Sequence, residues 1–253
     1  MIILSPAKTL NFEAQNQTKN YSSPIYISEA NEIAKELKKF SPDDLQKLMS
    51  ISPKLAELNA KRFLSWKTKP EISTTKQALL AFQGEVYNGM KAENFTASDL
   101  DYAQNNLRIL SGMYGVLKPL DLIQAYRLEM GTKLSVSNKK NLYLFWQEKI
   151  TDEILKELEN SSLQCLINIA SNEYYKTINK KKLTKPVITP VFKEERNGTY
   201  KVITIYAKKA RGMMASFIIK NKLSNKEDIK AFSDEGYFYN SELSTTSEWV
   251  FTR

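Results

Sequence analysis

The residue order predicts an α+β protein: a single compact domain spanning residues 1–253, with a mixed β-sheet surrounded by helices. Three observations lead there. The apolar spacing changes between helical and strand periods along the chain, no repeat, low-complexity tract or long linker divides it, and a hydrophobic content of 42% over 253 residues suffices for a full core without staples. Ile2, Ile3 and Leu4 form a short buried strand. Ile33, Ala34, Leu37 and Phe40 share one face of a helix over 30–40, and Ser41-Pro42-Asp43-Asp44 starts the next one, with serine as N-cap and proline at the first turn. Leu100, Ala103, Leu107 and Leu110 predict a helix over 99–110, and a further helix is expected after Pro119. The longest helix covers 142–158, carrying Phe145, Trp146, Ile150, Ile154 and Leu158 inward. The pattern then shifts to a buried strand over 163–170 and to strands over 187–193 and 200–207 flanking the turn signal Arg196-Asn197-Gly198. A helix over 210–221 follows, with Met214, Phe217 and Ile218 inward, and short strands over 237–239 and 249–252 close the chain.

Composition excludes several chemistries. With no histidine there is no Ser-His-Asp triad, Cys-His pair or histidine metal site. Cys165, the single cysteine, sits in the apolar run 163–170 as inert packing and leaves no partner for a disulfide, a CxxC pair or a zinc knuckle. Any metal would need carboxylate ligands, which favour hard ions. No metal or cofactor is expected. Met1-Ile2-Ile3-Leu4 is too short for a signal-peptide core and no later apolar run approaches bilayer length, so a cytoplasmic protein without a membrane partner is expected.

The net charge of +9 invites a polyanion, but 31 lysines against 6 arginines also indicate a compositional drift toward lysine. The distribution is more informative. Residues 176–185 carry Lys176, Lys180, Lys181, Lys182 and Lys185, and residues 206–222 carry Lys208, Lys209, Arg211, Lys220 and Lys222, neither run holding an acid. Segregated charge steers polyanions. Taken alone, each run reads first as a solvated lysine face.

Residues 43–63 read as two short amphipathic helices joined by a very tight turn. Leu45, Leu48, Leu55, Leu58 and Phe63 would form the seam between them. Ser50-Ile51-Ser52 stands in the hairpin, with Ile51 plugged inward and Ser52-Pro53 starting the second helix. The stretch resembles a helix-hairpin-helix DNA-binding element, although serines replace the two glycines usual there, and serine does not supply a positive φ freely. Outward amides in front of a helix N-terminus attract phosphate. The DNA-contact candidates are therefore Ser50, Ile51, Ser52, Lys54, Lys61 and Arg62, joined by Lys180, Lys181 and Lys182. A corner that merely packs on the core is the competing reading.

Four polar motifs stand in apolar surroundings: Ser5-Pro6-Ala7-Lys8-Thr9 after a strand, the segment 110–130 with Asp121, Arg127 and Glu129, Asn168-Ile169-Ala170-Ser171-Asn172-Glu173-Tyr174-Tyr175, and Tyr206-Ala207-Lys208-Lys209-Ala210-Arg211-Gly212. Rigid scaffolds display functional side chains at such strand ends and tight turns. In a lysine-drifted chain, arginines that persist should sit where the planar fork is used, which favours Arg127 and Arg211 as ion-pair or phosphate-fork residues with Glu129 and Glu173 as partners. Lys8, directly after a buried strand and a proline, is expected to lie in a shared polar cleft with Arg211 and one of Glu129, Glu173 or Asp121, with little freedom to reach bulk solvent.

These motifs, ILSPAKTL, LRILSGMYGVLKPLDLIQAYRLEMG, INIASNEYY, YAKKARGMMASFII and EGYFY, span the chain in order and resemble the YaaA peroxide-stress protein family. The resemblance implies a compact α+β fold with a helix-hairpin-helix element, binding to double-stranded or branched DNA, and a role in limiting iron-dependent oxidative damage. The chain departs from the family at Lys118 and Ala125, where arginine and proline are common; lysine keeps the charge but loses the bidentate fork. Sequence-independent phosphate contact is expected, because no helix rich in base-reading Arg, Asn and Gln is evident. The alternative is an enzyme on a small anionic, nucleotide-like ligand: Lys8, Arg127, Glu129, Lys208 and Arg211 would form the pocket, and Lys8, Asp121, Glu173 and Tyr174 are the catalytic candidates. Without histidine, a carboxylate, tyrosine or lysine must serve as base.

Overall fold

The structure is a computed structural model describing residues 1–15 and 17–253. Its core is a mixed sheet of eight strands: β1 (Ile2–Leu4), β2 (Leu107–Ser111), β3 (Gly115–Leu117), β4 (Leu166–Asn168), β5 (Val187–Arg196), β6 (Thr199–Lys201), β7 (Phe238–Tyr239) and β8 (Glu248–Thr252). The order is β7-β8-β5-β4-β1-β2-β3, with β6 in a hairpin on β5. Strands β8, β5, β4, β1 and β2 run parallel, and antiparallel β3 and β7 form the two edges. β1 is central, with Ile2 opposite Leu107 on one side and Ile167 on the other. Its residues and those of β2 are buried throughout, as parallel strands covered on both faces require.

The helices that matter for the site are α1 (Ile27–Leu37), α2 (Pro42–Met49), α3 (Pro53–Leu64), α4 (Glu85–Met90), α5 (Ala97–Asn106), α6 (Leu142–Glu159) and α7 (Thr204–Lys220). α2 starts as the sequence predicts: Ser41 and Asp44 form a reciprocal capping box, an arrangement that contributes about 1 kcal/mol. Glycines set one close crossing. A Cβ on Gly89 of α4 would lie 2.0 Å from the Lys209 carbonyl, and one on Gly212 of α7 would lie 1.8 Å from the Val86 carbonyl. The two backbones touch, and α4 is thereby fixed against the cationic stretch of α7.

Several elements differ from expectation. The first long helix runs over Ile27–Leu37 rather than 30–40, and the strand expected over 163–170 narrows to Leu166–Asn168. The helix expected over 99–110 ends at Asn106, because Leu107–Ser111 is buried between β1 and β3 and pairs with both; tertiary burial overrides the helical spacing. The helix expected directly after Pro119 is absent, residues 120–141 holding none. There the Asp121 carboxylate accepts from the Lys118 amide at 2.8 Å and the Ser22 hydroxyl at 2.6 Å, and it turns the chain into a two-residue strand at Leu122–Ile123. The strand expected over 200–207 stops at Lys201, and α7 begins at Thr204. Among the described residues, no helix is long and apolar enough to cross a membrane.

Candidate functional site

A cleft of about 460 Å³ opens at the carboxyl ends of β1 and β4. From β1 the chain moves to one side, to β2, and it later returns on the other side as β4. Between two such strands the connections diverge and leave a crevice, the place where open parallel sheets bind ligands. The volume falls in the range of small-molecule sites.

All four polar motifs reach this cleft. Lys8 enters from the β1 end, Tyr126, Arg127 and Glu129 from the segment after Asp121, Ser171, Glu173 and Tyr174 from the β4 end, and Lys208 and Arg211 from α7. Packing holds them there. Thr9 pairs with Gln83, which clips the Ser5–Thr9 stretch against α4. The Ser5 hydroxyl accepts from the Ser171 amide at 2.8 Å, and Tyr87 donates to the Ser5 carbonyl at 3.0 Å. Behind the Arg127 segment, a Cβ at Gly112 would lie 2.6 Å from the Leu128 carbonyl, so glycine lets the turn after β2 back directly onto it.

The charges are not evenly matched. Glu129 is held by two cations, Lys8 at 2.8 Å and Arg127 at 3.2 Å. Arg127 spends one terminal nitrogen on that contact, and its buried Nε has no hydrogen-bond partner among the described residues. Glu173 anchors one carboxylate oxygen on the Gly131 amide at 2.9 Å and makes no ion pair among the described residues. Arg211 is half-buried and, among the described residues, has no carboxylate or hydrogen-bond partner; burial alone pulls its guanidinium below its ordinary pKa. Lys208 is exposed beside it.

Three expected roles change. Asp121 is buried away from the cleft, where it holds the turn described above. Lys8 is not confined: its side chain is 62% exposed and reaches Glu129 from the rim. Burial raises the Tyr174 phenol well above its ordinary value, as it also does for its cleft neighbours Tyr87 and Tyr126, which favours a protonated ring that donates rather than accepts a proton. These rings form a neutral aromatic wall. Gln83, Gly84, Glu85 and Tyr87 also line the cleft, and the sequence reading missed them. Gly84, at φ 154, is the one local signal there, and it gains meaning only once α4 is seen against Ala7.

The α2–α3 corner lies outside this lining. Ser50 takes the left-handed conformation at φ 51, Ile51 is buried, and Ser52 caps α3 by accepting from the Leu55 amide at 3.4 Å. Leu45 and Phe63 are buried, Leu48 and Leu55 half-buried, and Leu58 departs from the expected seam by facing solvent. Lys54 and Lys61 are exposed, whereas Arg62 is half-buried with one terminal nitrogen 3.4 Å from Asn59. In the other basic run, Lys182 pairs with Asp152 at 3.3 Å and Lys180 lies 4.5 Å over the Tyr175 ring, while Lys181 is exposed. Arg108 is structural, paired with Glu157 on α6.

Comparison with known proteins agrees with this motif set. The sequence model of a family described as "Peroxide stress protein YaaA" matches residues 1–243. The chain belongs to that family. Three similar relatives are named UPF0246 protein: one from Aliivibrio fischeri strain MJ11 is 49% identical over 253 residues, covering 100% of this chain and 98% of the relative. One from Clostridium beijerinckii is 50% identical over 255 residues, covering 100% and 97%, and one from Cellvibrio japonicus is 48% identical over 251 residues, covering 99% and 97%.

Proposed function

We propose that this member of the peroxide-stress family is a cytoplasmic protein that binds a small anionic, nucleotide-like molecule in the cleft and acts on it with Glu173 as proton acceptor. Arg211 carries the reading: a half-buried cation without a counter-charge is stabilised by an incoming anion, and a guanidinium offers phosphate a bidentate fork. Lys208 adds a second positive charge, and the Glu129 carboxylate is already neutralised by Lys8 and Arg127; of the two lining acids without an ion pair among the described residues, Glu85 and Glu173, only Glu173 is held in place by a hydrogen bond, from the Gly131 amide, which favours it as the proton acceptor. The tyrosine wall suits an aromatic base.

Calorimetry with a deoxynucleoside monophosphate tests this. Wild-type protein should bind it and Arg211→Ala should bind at least about tenfold more weakly, since charge-assisted hydrogen bonds contribute roughly 1.5–3 kcal/mol. Glu173→Gln should retain binding while failing to protect cells lacking the wild-type gene from peroxide. Equal affinity of wild type and Arg211→Ala would remove the cleft from consideration.

A second reading is favoured by the α2–α3 corner, whose left-handed Ser50 and capped α3 present amides and Lys54 to solvent. It is sequence-independent contact with duplex or branched DNA phosphates. Limitation of iron-dependent damage would then act at the DNA. Among the described residues no group of three or more Cys, Asp or Glu is placed to hold a metal ion.

A further inference from the structure

The hairpin β5–β6 and the first turn of α7 expose a run of large apolar side chains immediately before the cleft cations. Tyr200 is 42% exposed, Val202 53%, Ile205 53% and Tyr206 39%, all within the one segment 200–206. Such side chains singly on a surface need no explanation, but a contiguous group does. Cations are interleaved with them. Lys201 lies inside the run and Lys208 follows within one turn of α7, while the Arg253 guanidinium, 5.3 Å from the Tyr206 ring, is already paired with Glu194 at 2.9 Å and Glu235 at 3.3 Å. Neither Lys201 nor Lys208 makes an ion pair among the described residues. The same helix then delivers Arg211 to the cleft.

We propose that segment 200–206 is a platform for an unpaired DNA strand that delivers one of its nucleotides into the cleft; the delivery step rests on the cleft being the anion site argued above. Charge complementarity selects the occupant. A second copy of this chain would bring like charge to a segment without an acid over 197–226, beside which Glu195 faces Tyr200 across the hairpin, and a duplex would offer phosphates while hiding the base faces that exposed tyrosines can stack against. An unpaired strand uses both features at once, with rings on bases and lysines on phosphates. The cleft volume of about 460 Å³ suits one extruded nucleotide rather than a helix.

The test is fluorescence anisotropy with a labelled oligothymidine of about a dozen nucleotides, within the span that such surfaces cover. Wild-type protein should bind it. A Tyr200→Ala/Tyr206→Ala protein, checked for folding by thermal melting, should bind about tenfold or more weakly, since stacking contributes roughly 1–3 kcal/mol per base. Affinity for a duplex of equal length, and for the free monophosphate in the cleft, should stay as in wild type. Tyr200→Phe/Tyr206→Phe should keep the strand affinity, because stacking needs the ring and not the hydroxyl. No binding of oligothymidine by wild type, unchanged affinity in the folded alanine protein, or equal losses in the alanine and phenylalanine proteins would each overturn the platform. Failure of wild type to bind free monophosphate, with the tyrosine effect intact, would overturn the delivery step and the cleft reading while the platform stands.

Discussion

The α2–α3 corner and the cleft both present unpaired positive charge, but the charges differ in kind. Lys54 and Lys61 are exposed, where water solvates an ammonium fully and a missing partner signifies little. Arg62 of the corner is also half-buried but donates to Asn59 at 3.4 Å, whereas half-buried Arg211 has no partner among the described residues, a desolvation cost that a bound anion would offset. An unpaired cation is therefore informative in proportion to its burial. By that measure the cleft is the stronger candidate, although the corner has the more familiar shape.

The two regions are also built differently, and this yields the largest expected effect. The corner is held by neighbours in sequence: Ser41 with Asp44, Ser52 with Leu55, Ile51 under its own turn. The cleft depends on contacts between distant segments, above all the α4–α7 crossing. Gly212→Val puts a branched side chain where even a Cβ would meet the Val86 carbonyl at 1.8 Å. Overpacking of a backbone contact should cost about 3 kcal/mol, read as a lower urea midpoint. Hydrogen exchange should rise first at the amides of α4. If protection in the α2–α3 corner fell first, the division into locally and distantly held regions would be wrong.

That division explains what was legible in the sequence. The corner could be read because its caps lie within a few residues of the groups they satisfy, and the motifs at 5–9 and 168–175 could be read as strand ends because β1 and the core of β4 are apolar runs. The helix expected over 99–110 failed at Leu107, since only pairing with Ile2 and Leu117's strand shows that the stretch is a central strand. A shared cleft for Lys8, Arg211 and Glu129 was expected from polar motifs set in apolar surroundings, but where it lies follows from the parallel order around β1, which no local pattern encodes. The Gly84–Tyr87 wall was invisible for the same reason: Gly89 and Gly212 mark it only as a pair. Asp121 looked catalytic because an acid beside glycine turns often is, whereas its oxygens are occupied by Ser22 and Lys118.

A smaller effect should separate the two surfaces directly. Lys54→Glu reverses an exposed charge on the first turn of α3 without touching packing. If the corner contacts duplex phosphate, affinity should fall roughly three- to tenfold at low salt, and the salt dependence should become shallower because fewer counterions are released. Monophosphate binding in the cleft should not change. Wild-type duplex affinity in folded Lys54→Glu protein would move nucleic-acid contact to the run Lys180 to Lys185 or to the α7 face at Lys208 to Arg211.

The smallest expected effect concerns Asp121, the acid that the comparison moves out of the cleft and into the scaffold. Burial is the largest influence on it and raises its pKa above the ordinary 3.8, against the opposing hydrogen bonds from Ser22 and Lys118. A carboxyl with a raised folded-state pKa binds its proton more tightly in the native protein than in the unfolded chain. Its contribution to stability is thus fully present below pH 3.8 and is lost as pH rises through the folded value. Asp121→Asn removes this titration while nearly preserving shape, at the cost of exchanging one accepting oxygen for a donor. Urea midpoints of the two proteins should therefore converge, or cross in favour of the variant, as pH rises from about 4 to 7. Peroxide protection should be retained wherever the variant is folded. A stability gap that widens in favour of wild type over that range would mean that the hydrogen bonds outweigh burial, and loss of protection in a folded variant would return Asp121 to the functional site.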